Sequence, residues 1–464
     1  MPLIGGVAAL AGKRVAIFGA GREGQSFARR VGPSCAEMVL VDDLVGDPTR
    51  LTGPRQQSDA PPPEFEVRSP SVLEGRRFDF VVRSPGVSRY DERLAAATHL
   101  GAVVTTPTTL FLEDFADRQV VAVTGSKGKT TTAMLTRAVL ASQGLDVVLA
   151  GNVGLPLTEL YDDDAHDVFV VELSSFQTAD VTTSPSVGVL TLLAPDHLDW
   201  HRSLENYYAD KLRLFSYGKD VPVAVNGCCE EAVARTSKLE GRVLYGGGGP
   251  VHLEDSVVFA AGLGALELRE FRLLGEHNLV NACGAITAGL LLTGELPDRE
   301  RLETELCAVG APRSRLEPLG EIAGVSYVDD ALASNPEGTV VALRVFAGRK
   351  VALIVGGHDR GIDYTPLAQA IEASSPRPVV YWMGEAGAAI AGALDAISSG
   401  VERLPVRSLE EAVGKAASHA AVEVVLFSPA APTPHEEGSY LDRSRRFREA
   451  SGVDPSEPGS VTSP

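Results

Sequence analysis

VVAVTGSKGKTTT, residues 120–132, decides the fold. Val120–Val123 is apolar and β-branched enough to read as a buried strand, begun at Gln119. It runs directly into Gly125-Ser126-Lys127-Gly128-Lys129-Thr130, and helix spacing follows over Thr130–Gln143. Two glycines let the backbone curl so that its N–H groups face one anion, and the helix dipole points its positive end at the same place. Lys129 can reach the outer phosphates of a nucleoside triphosphate, and the Thr130 hydroxyl can bind Mg²⁺. The loop has two residues rather than four between its glycines, a shortened form of the usual phosphate loop. A Gly-Lys surface turn would need neither the apolar strand before it nor the helix after it. Gly125, Ser126, Lys127, Gly128, Lys129, Thr130 and Thr131 are therefore the candidate ATP contacts.

Mg²⁺ needs oxygen ligands beyond one hydroxyl. VFVVELSSFQ, residues 168–177, supplies Glu172 at the end of a second apolar strand, where a carboxylate is costly unless paired or bound to metal. Strands and helices alternate outward from here, the pattern of α/β folds with parallel sheets. Three domains are expected: 1–107 with a Rossmann-like sheet, 108–311 with the phosphate loop and a parallel sheet, and 312–453 again Rossmann-like. Residues 239–270 read as a small antiparallel insert. The Pro-rich stretch 59–64 reads as a surface loop, and the Ser/Pro-rich tail 454–464 as disordered.

Composition narrows the function. The 464 residues carry a net charge of −19, which argues against general binding to nucleic acid or anionic membrane. No apolar run is long enough to span a bilayer. The five cysteines show no CxxC pair or metal spacing, and the N-terminus lacks a basic leader, so its apolar residues read as the start of a buried strand. A cytoplasmic monomer is expected.

APDHLDWHRSLENYYADKLRL, residues 194–214, adds His197 just past a strand end and Lys211 on the next helix. Alone, each would be an ordinary side chain. Together with the phosphate loop and Glu172, and with GEHNLVNA (275–282) and RSRLE (313–317) following in order, the set resembles the muramyl ligases and their folylpolyglutamate synthetase relatives over nearly the whole chain. The resemblance implies ATP as co-substrate and two Mg²⁺ sites, drawing on Thr130, Glu172, His197 and Lys211. It implies catalytic roles for Lys129, His197 and Lys211, the last as a carbamylated lysine whose cation has become an anion. It also implies ATP contacts from Asn278, Asn281, Arg315 and Asp330.

VAIFGAGREG, residues 15–24, carries Gly19-x-Gly21-x-x-Gly24 between a strand and a helix. By itself that motif is weak and would equally suit a dinucleotide enzyme, with Asp42 or Asp43 as ribose partner. In this company it resembles the UDP-binding domain of the branch that adds glutamate to UDP-N-acetylmuramoyl-L-alanine. Gly19, Gly21, Gly24, Asp42, Asp43, Ser84, Gly86, Asn152 and Gln177 become candidate contacts for that substrate. Where D-glutamate-adding members resemble DSKATN, this chain has Asp330-Ala331-Leu332-Ala333-Ser334-Asn335, so a lysine is replaced by Leu332. SPAAPTPHEEGSYLDR, residues 428–443, also departs, with Thr433 and Tyr440 at positions usually serine and phenylalanine. Ser334, Arg360, Ser428, Thr433 and Tyr440 are the candidate glutamate contacts, with Arg360 as the compensating cation. These differences favour L-glutamate over D-glutamate and imply a separate epimerase acting on the product. The competing readings are a folylpolyglutamate synthetase-like ligase, which leaves residues 1–107 without a role, a non-catalytic nucleotide-binding regulator, which leaves the intact Lys129, Thr130, Glu172, His197 and Lys211 without one, and an NAD-linked oxidoreductase, which leaves the phosphate loop unexplained.

Overall fold

The structure, a computed structural model, describes residues 3–43, 65–218, 221–397 and 399–453. The expected loop at 59–64 and tail at 454–464 lie outside these residues. The chain forms two compact units: Met1–Leu268 with His277–Leu306, and Arg269–Glu276 with Cys307–Pro464.

The first unit holds two parallel sheets. One runs in the spatial order Val67–Arg68, Glu37–Val41, Arg14–Phe18, Phe80–Arg83, Val103–Thr105. The other has six strands in the order Arg242–Tyr245, Val223–Asn226, Val187–Leu190, Gln119–Thr124, Val168–Glu172, Val147–Gly151. Parallel strands are covered on both faces, so they read as unbroken apolar runs; all five residues of Val168–Glu172 are buried. Gln119–Thr124 lies mid-sheet, which sets the phosphate loop at the carboxyl ends of the strands, where ligands bind in open α/β sheets. Val251–Glu254, Val257–Ala260 and Gly264–Ala265 form the small antiparallel insert. Arg242–Tyr245, inside the range assigned to that insert, joins the large parallel sheet instead.

The second unit is a six-stranded sheet in the order Glu317–Ile322, Val325–Asp329, Val424–Phe427, Val351–Gly356, Val379–Met383, Arg403–Pro405. Only its first pair is antiparallel. Near the N-terminus the apolar residues do not all join a strand. Val7–Leu10 is a short 3₁₀ turn between the left-handed glycines Gly6 and Gly12, and the strand is confined to Arg14–Phe18. Among the described residues no helix is long and apolar enough to cross a membrane.

Candidate functional site

The phosphate loop is built by the strand Gln119–Thr124 and the helix Lys129–Ser142. Its two glycines are required by their backbone: Gly125 has φ 153° and Gly128 φ 84°. A Cβ on Gly125 would collide with Thr191, and one on Gly128 would come 2.8 Å from Asn281 Oδ1. The loop is tied down on every side. Ser126 N donates to Leu192 O at 2.6 Å, and Thr191 Oγ1 donates to Lys127 O at 2.6 Å. Ser126 Oγ lies 2.6 Å from the Tyr207 hydroxyl and 2.8 Å from Ala194 O. Lys129 Nζ rests 3.4 Å from Ser126 O.

Thr130 Oγ1 donates to Glu172 Oε2 at 2.8 Å, with Glu172 buried. These two oxygens suit Mg²⁺, a hard cation that usually takes one or two protein ligands and fills the rest with water and phosphate oxygens. Among the described residues no three His, Cys, Asp or Glu side chains converge on a metal position, so a metal here needs Thr130 and substrate oxygens to complete its ligands. Lys211 Nζ, fully buried, donates to Gly125 O at 2.9 Å and sits 4.9 Å from the centre of the Tyr207 ring. Burial, with the Lys129 charge adding to it, holds the Lys211 ammonium well below the usual lysine range. His197 itself takes a left-handed backbone (φ 50°), with its ring 4.8 Å from that of Phe176. Burial lowers the His197 pKa, opposed by Asp196 and helped by the nearby lysines, which favours the neutral ring, the form able to accept a metal.

Asn278 and Asn281 stand one helical turn apart beside this loop, joined by a bond from Asn281 Nδ2 to Asn278 Oδ1 at 3.0 Å. In the first sheet, Gly21 caps the helix Arg22–Val31. Nothing lies within 4 Å of a Cβ on Gly21 or Gly86, whereas one on Gly24 would collide with the Gly19 carbonyl. Gly19 itself needs a left-handed φ of 101°. Ser84 Oγ donates to Gly19 O at 2.7 Å, and Asp42 Oδ2 accepts from Ala20 N at 2.7 Å. Ser84, Asp42, Gly19 and Gly24 thus shape the turn, while Gly21, Gly86 and the helix start present open backbone. Asp43 is paired with Arg93 at 2.5 and 3.0 Å. Asn152 is exposed, its N–H donating to Glu172 O at 3.0 Å. Gln177 is buried, and its Oε1 closes a capping box with Ser174, so a ligand would meet only the other end of the amide.

Comparison with known proteins gives the same direction. The Mur ligase middle domain matches residues 123–289. A UDP-N-acetylmuramoyl-L-alanine--L-glutamate ligase from Xanthomonas axonopodis pv. citri (strain 306) is 32% identical over 97% of this chain and 97% of its own. The chain belongs to the Mur ligase family. Mur ligases are ATP-dependent enzymes that form amide bonds and release ADP, and this chain is one of them. A protein of the same name from Salinispora tropica is 35% identical, over 95% of this chain and 98% of its own. Among solved structures, MurC from Thermotoga maritima superposes with a TM-score of 0.59 at 21% identity, covering 94% of this chain and 98% of its own. MurF from the same organism, solved with ADP, gives 0.55 at 17% identity, covering 96% of each chain. These structural likenesses concern the fold.

In the second unit of this Mur ligase the candidate residues are more scattered. Asp330 is buried, accepting from Leu316 N at 3.1 Å and from Ser428 Oγ at 2.7 Å. Burial raises its carboxyl to about 7 against those hydrogen bonds. Arg315 is half-buried in the adjoining turn. Ser428 is fully buried and also shares a hydrogen bond with Thr339 Oγ1 at 2.8 Å, which leaves its hydroxyl committed within the fold. Ser334, Arg360 and Tyr440 are exposed and Thr433 is half-buried. Among the described residues no hydrogen bond or ion pair joins any two of Ser334, Arg360, Ser428, Thr433 and Tyr440.

Sequence reasoning passed over several groups. Tyr207 lies four residues before Lys211 on one helix face, a spacing that could have flagged it as the lysine's neighbour. Asp196, 3.7 Å from Lys127, sits next to His197. A buried network also escaped notice. Arg83, from the first sheet, binds Asp180 at 2.6 and 2.9 Å, and Arg89 binds Asp180 and Asp210. Asp210 in turn lies 2.8 Å from His201 Nδ1, whose Nε2 is 2.9 Å from Ser175 Oγ. An arginine ending the apolar run Phe80–Arg83 was the one available signal.

Proposed function

We propose that this Mur ligase joins L-glutamate to the alanine carboxylate of UDP-N-acetylmuramoyl-L-alanine, with ATP consumed, in peptidoglycan precursor synthesis. The observation that carries the reading is the convergence of Lys129, the Thr130–Glu172 pair, Lys211 and His197 on one phosphate loop. The name carried by relatives 32% and 35% identical over nearly the full length supports the amino acid and its isomer. The same ligation with D-glutamate is the alternative, and those names do not favour it.

The alanine carboxylate attacks the γ-phosphorus of ATP, ADP leaves, and an acyl phosphate results. The glutamate amine then attacks the acyl carbon, losing a proton as phosphate departs. Carboxylate and triphosphate repel, so the first step needs positive charge between them. The Lys129 ammonium and the N–H groups of the loop supply part of it. Mg²⁺ held by Thr130 and Glu172 would supply more, with a second site near His197 and Lys211. A neutral Lys211 amine can add CO₂, forming an N–C bond and releasing one proton, which would turn this position into an anion. Gly21, Gly86 and the start of the helix Arg22–Val31 would receive the diphosphate of the UDP-linked substrate. Asn278, Asn281, Arg315 and Asp330 remain the proposed nucleotide contacts.

The three larger sheets, of five, six and six strands, support a division into domains 1–107, 108–311 and 312–453. The protein is proposed to act as a cytoplasmic monomer, with a separate epimerase supplying the D-configuration in the product. The deciding experiment is phosphate release from ATP with UDP-N-acetylmuramoyl-L-alanine and each glutamate isomer in parallel. Release that depends on both the UDP-linked substrate and L-glutamate is expected. A preference for D-glutamate would leave the ligase and overturn the isomer.

A further inference from the structure

The second unit buries an arginine that it only half satisfies. Arg443 lies on the helix Tyr440–Ser451, whose start is fixed by a capping box between Ser439 and Asp442. The side chain is 1% exposed, and its guanidinium stacks 5.0 Å from the centre of the Phe427 ring. Nη2 donates to Gly356 O at 2.7 Å. Nε and Nη1, both closed to solvent, have no hydrogen-bond acceptor among the described residues. A desolvated guanidinium with two idle donors is expensive, and burial lowers its pKa to about 10 in spite of a nearby carboxylate.

That carboxylate is Glu437. It sits 3.5 Å from Arg443 Nε and 3.6 Å from Arg446 Nη1, too far for good hydrogen bonds, and is itself partly exposed. Arg446 already has a two-point partner in Glu410, at 2.8 and 3.1 Å. Arg443 has none. Its position matters too: Gly356 and Phe427 are the carboxyl ends of two neighbouring parallel strands, the side of an open α/β sheet where ligands bind. The cover is thin. A Cβ built on Gly357 would meet Pro432 O, with Arg443 Nη1 3.2 Å and Ala431 Cβ 3.3 Å away, so the segment following Ser428 and the guanidinium both crowd against Gly357. This is the segment in which sequence placed Thr433 and Tyr440. Leu332 cannot pair with an anion, and Arg360, the cation assigned from sequence, is exposed.

We propose that Arg443 is the specificity residue for the side-chain carboxylate of the incoming amino acid, and that Glu437 occupies its place until that carboxylate arrives. This rests on the reading of glutamate as the acceptor. Moving the segment that carries Glu437 frees Nε, and the Nε–Nη2 edge of a guanidinium is the one that meets a carboxylate side-on, as Nε and Nη2 of Arg446 meet Glu410. The protein's own glutamate side chain shows the ligand chemistry the position tolerates.

The test uses the full-length enzyme with Arg443→Met, Arg443→Lys and Glu437→Gln. Arg443→Met should raise the KM for L-glutamate about tenfold or more, with the KM values for ATP and the UDP-linked substrate nearly unchanged. Its preference for L-glutamate over L-glutamine should collapse, and Arg443→Lys should recover part of it. Glu437→Gln, which removes the competing anion, should lower the KM for L-glutamate. A purely structural arginine would affect all three substrates alike and leave the preference for L-glutamate intact, and that result overturns the proposal. Should Arg443→Met fail to fold, an unchanged or raised KM for L-glutamate in Glu437→Gln overturns it. Wild-type enzyme that does not ligate L-glutamate would instead sink the proposed function.

Discussion

Lys211 is the residue whose surroundings differ most from what its type prefers. An ammonium enclosed by protein with another lysine nearby is disfavoured, and one contact with the Gly125 carbonyl does not offset the lost hydration. That shift favours the neutral amine, the form that reacts with CO₂, so the burial and the proposed carbamate are two sides of one arrangement. Lys211→Ala is therefore expected to lose nearly all ligation while keeping its thermal melt. Added formate or acetate should restore part of the rate by placing an anion where the carbamate stood. A melt unchanged and a turnover near wild type would remove Lys211 from the site. His197 answers to the same local charges, and its neutral ring completes a set that sequence could propose only through resemblance, because a histidine and a lysine at this spacing have no meaning by themselves.

Elements decide what the glycines and the buried Asp330 carboxylate do. In the turn before the helix Arg22–Val31, Gly21 and Gly24 look equivalent in the motif but not in space. Gly24 is needed for packing against Gly19, and Gly21 only for open backbone. Gly24→Val should lower the melting temperature by several degrees, a loss on the order of 1–3 kcal/mol from overpacking. Gly21→Val should fold normally and raise the KM for the UDP-linked substrate without changing that for ATP. A melt lowered equally by both would refute this division. Asp330 gives a pH prediction. Its folded pKa, about 7, lies above the unfolded value near 3.8, so the native state holds a proton that the unfolded chain gives up. The stability this contributes is complete below the unfolded pKa and is lost as pH rises to about 7. Asp330→Asn should flatten that part of the denaturation profile between pH 4 and 7, and an unaltered slope would place the titration elsewhere. The long apolar runs made strands such as Val168–Glu172 legible in sequence. Glu317–Ile322 was not, because its proline and glycine suppress strand propensity and its pairing is antiparallel with a bulge at Pro318/Gly320. Ser428 shows the limit at the site: a motif position gives a residue type, whereas its partners, Asp330 and Thr339, lie far along the chain.

At the scale of the molecule, the feature least visible in sequence is how the first unit holds its two sheets together. Arg83 ends a strand of the first sheet, yet its guanidinium reaches Asp180 and the Phe176 carbonyl, and it packs 5.2 Å from the centre of the Trp200 ring. Arg89 and Tyr90 bind Asp210, which directly precedes Lys211 in the chain. Ser88 Oγ donates to Trp200 O at 2.9 Å. The loop that follows the Ser84–Gly86 turn is thus fastened to the helix that carries the buried lysine, through charges no local pattern could pair across about a hundred residues. A buried ion pair adds little compared with a well-packed apolar pair, but breaking one leaves an uncompensated charge that costs about 3–5 kcal/mol. Arg83→Met, which leaves Asp180 only its longer 3.3 Å pairing with Arg89, should therefore lower the denaturant midpoint. Arg83→Met with Asp180→Leu should recover much of the loss, because no charge is left without its partner. If the double variant is no more stable than the single one, the arginine is acting through its contacts with Ser84, Val87 and Phe176 rather than through Asp180. The KM for the UDP-linked substrate should rise in both variants, since the Ser84–Gly86 turn would lose its fixed position over the second sheet whether or not the charge is balanced.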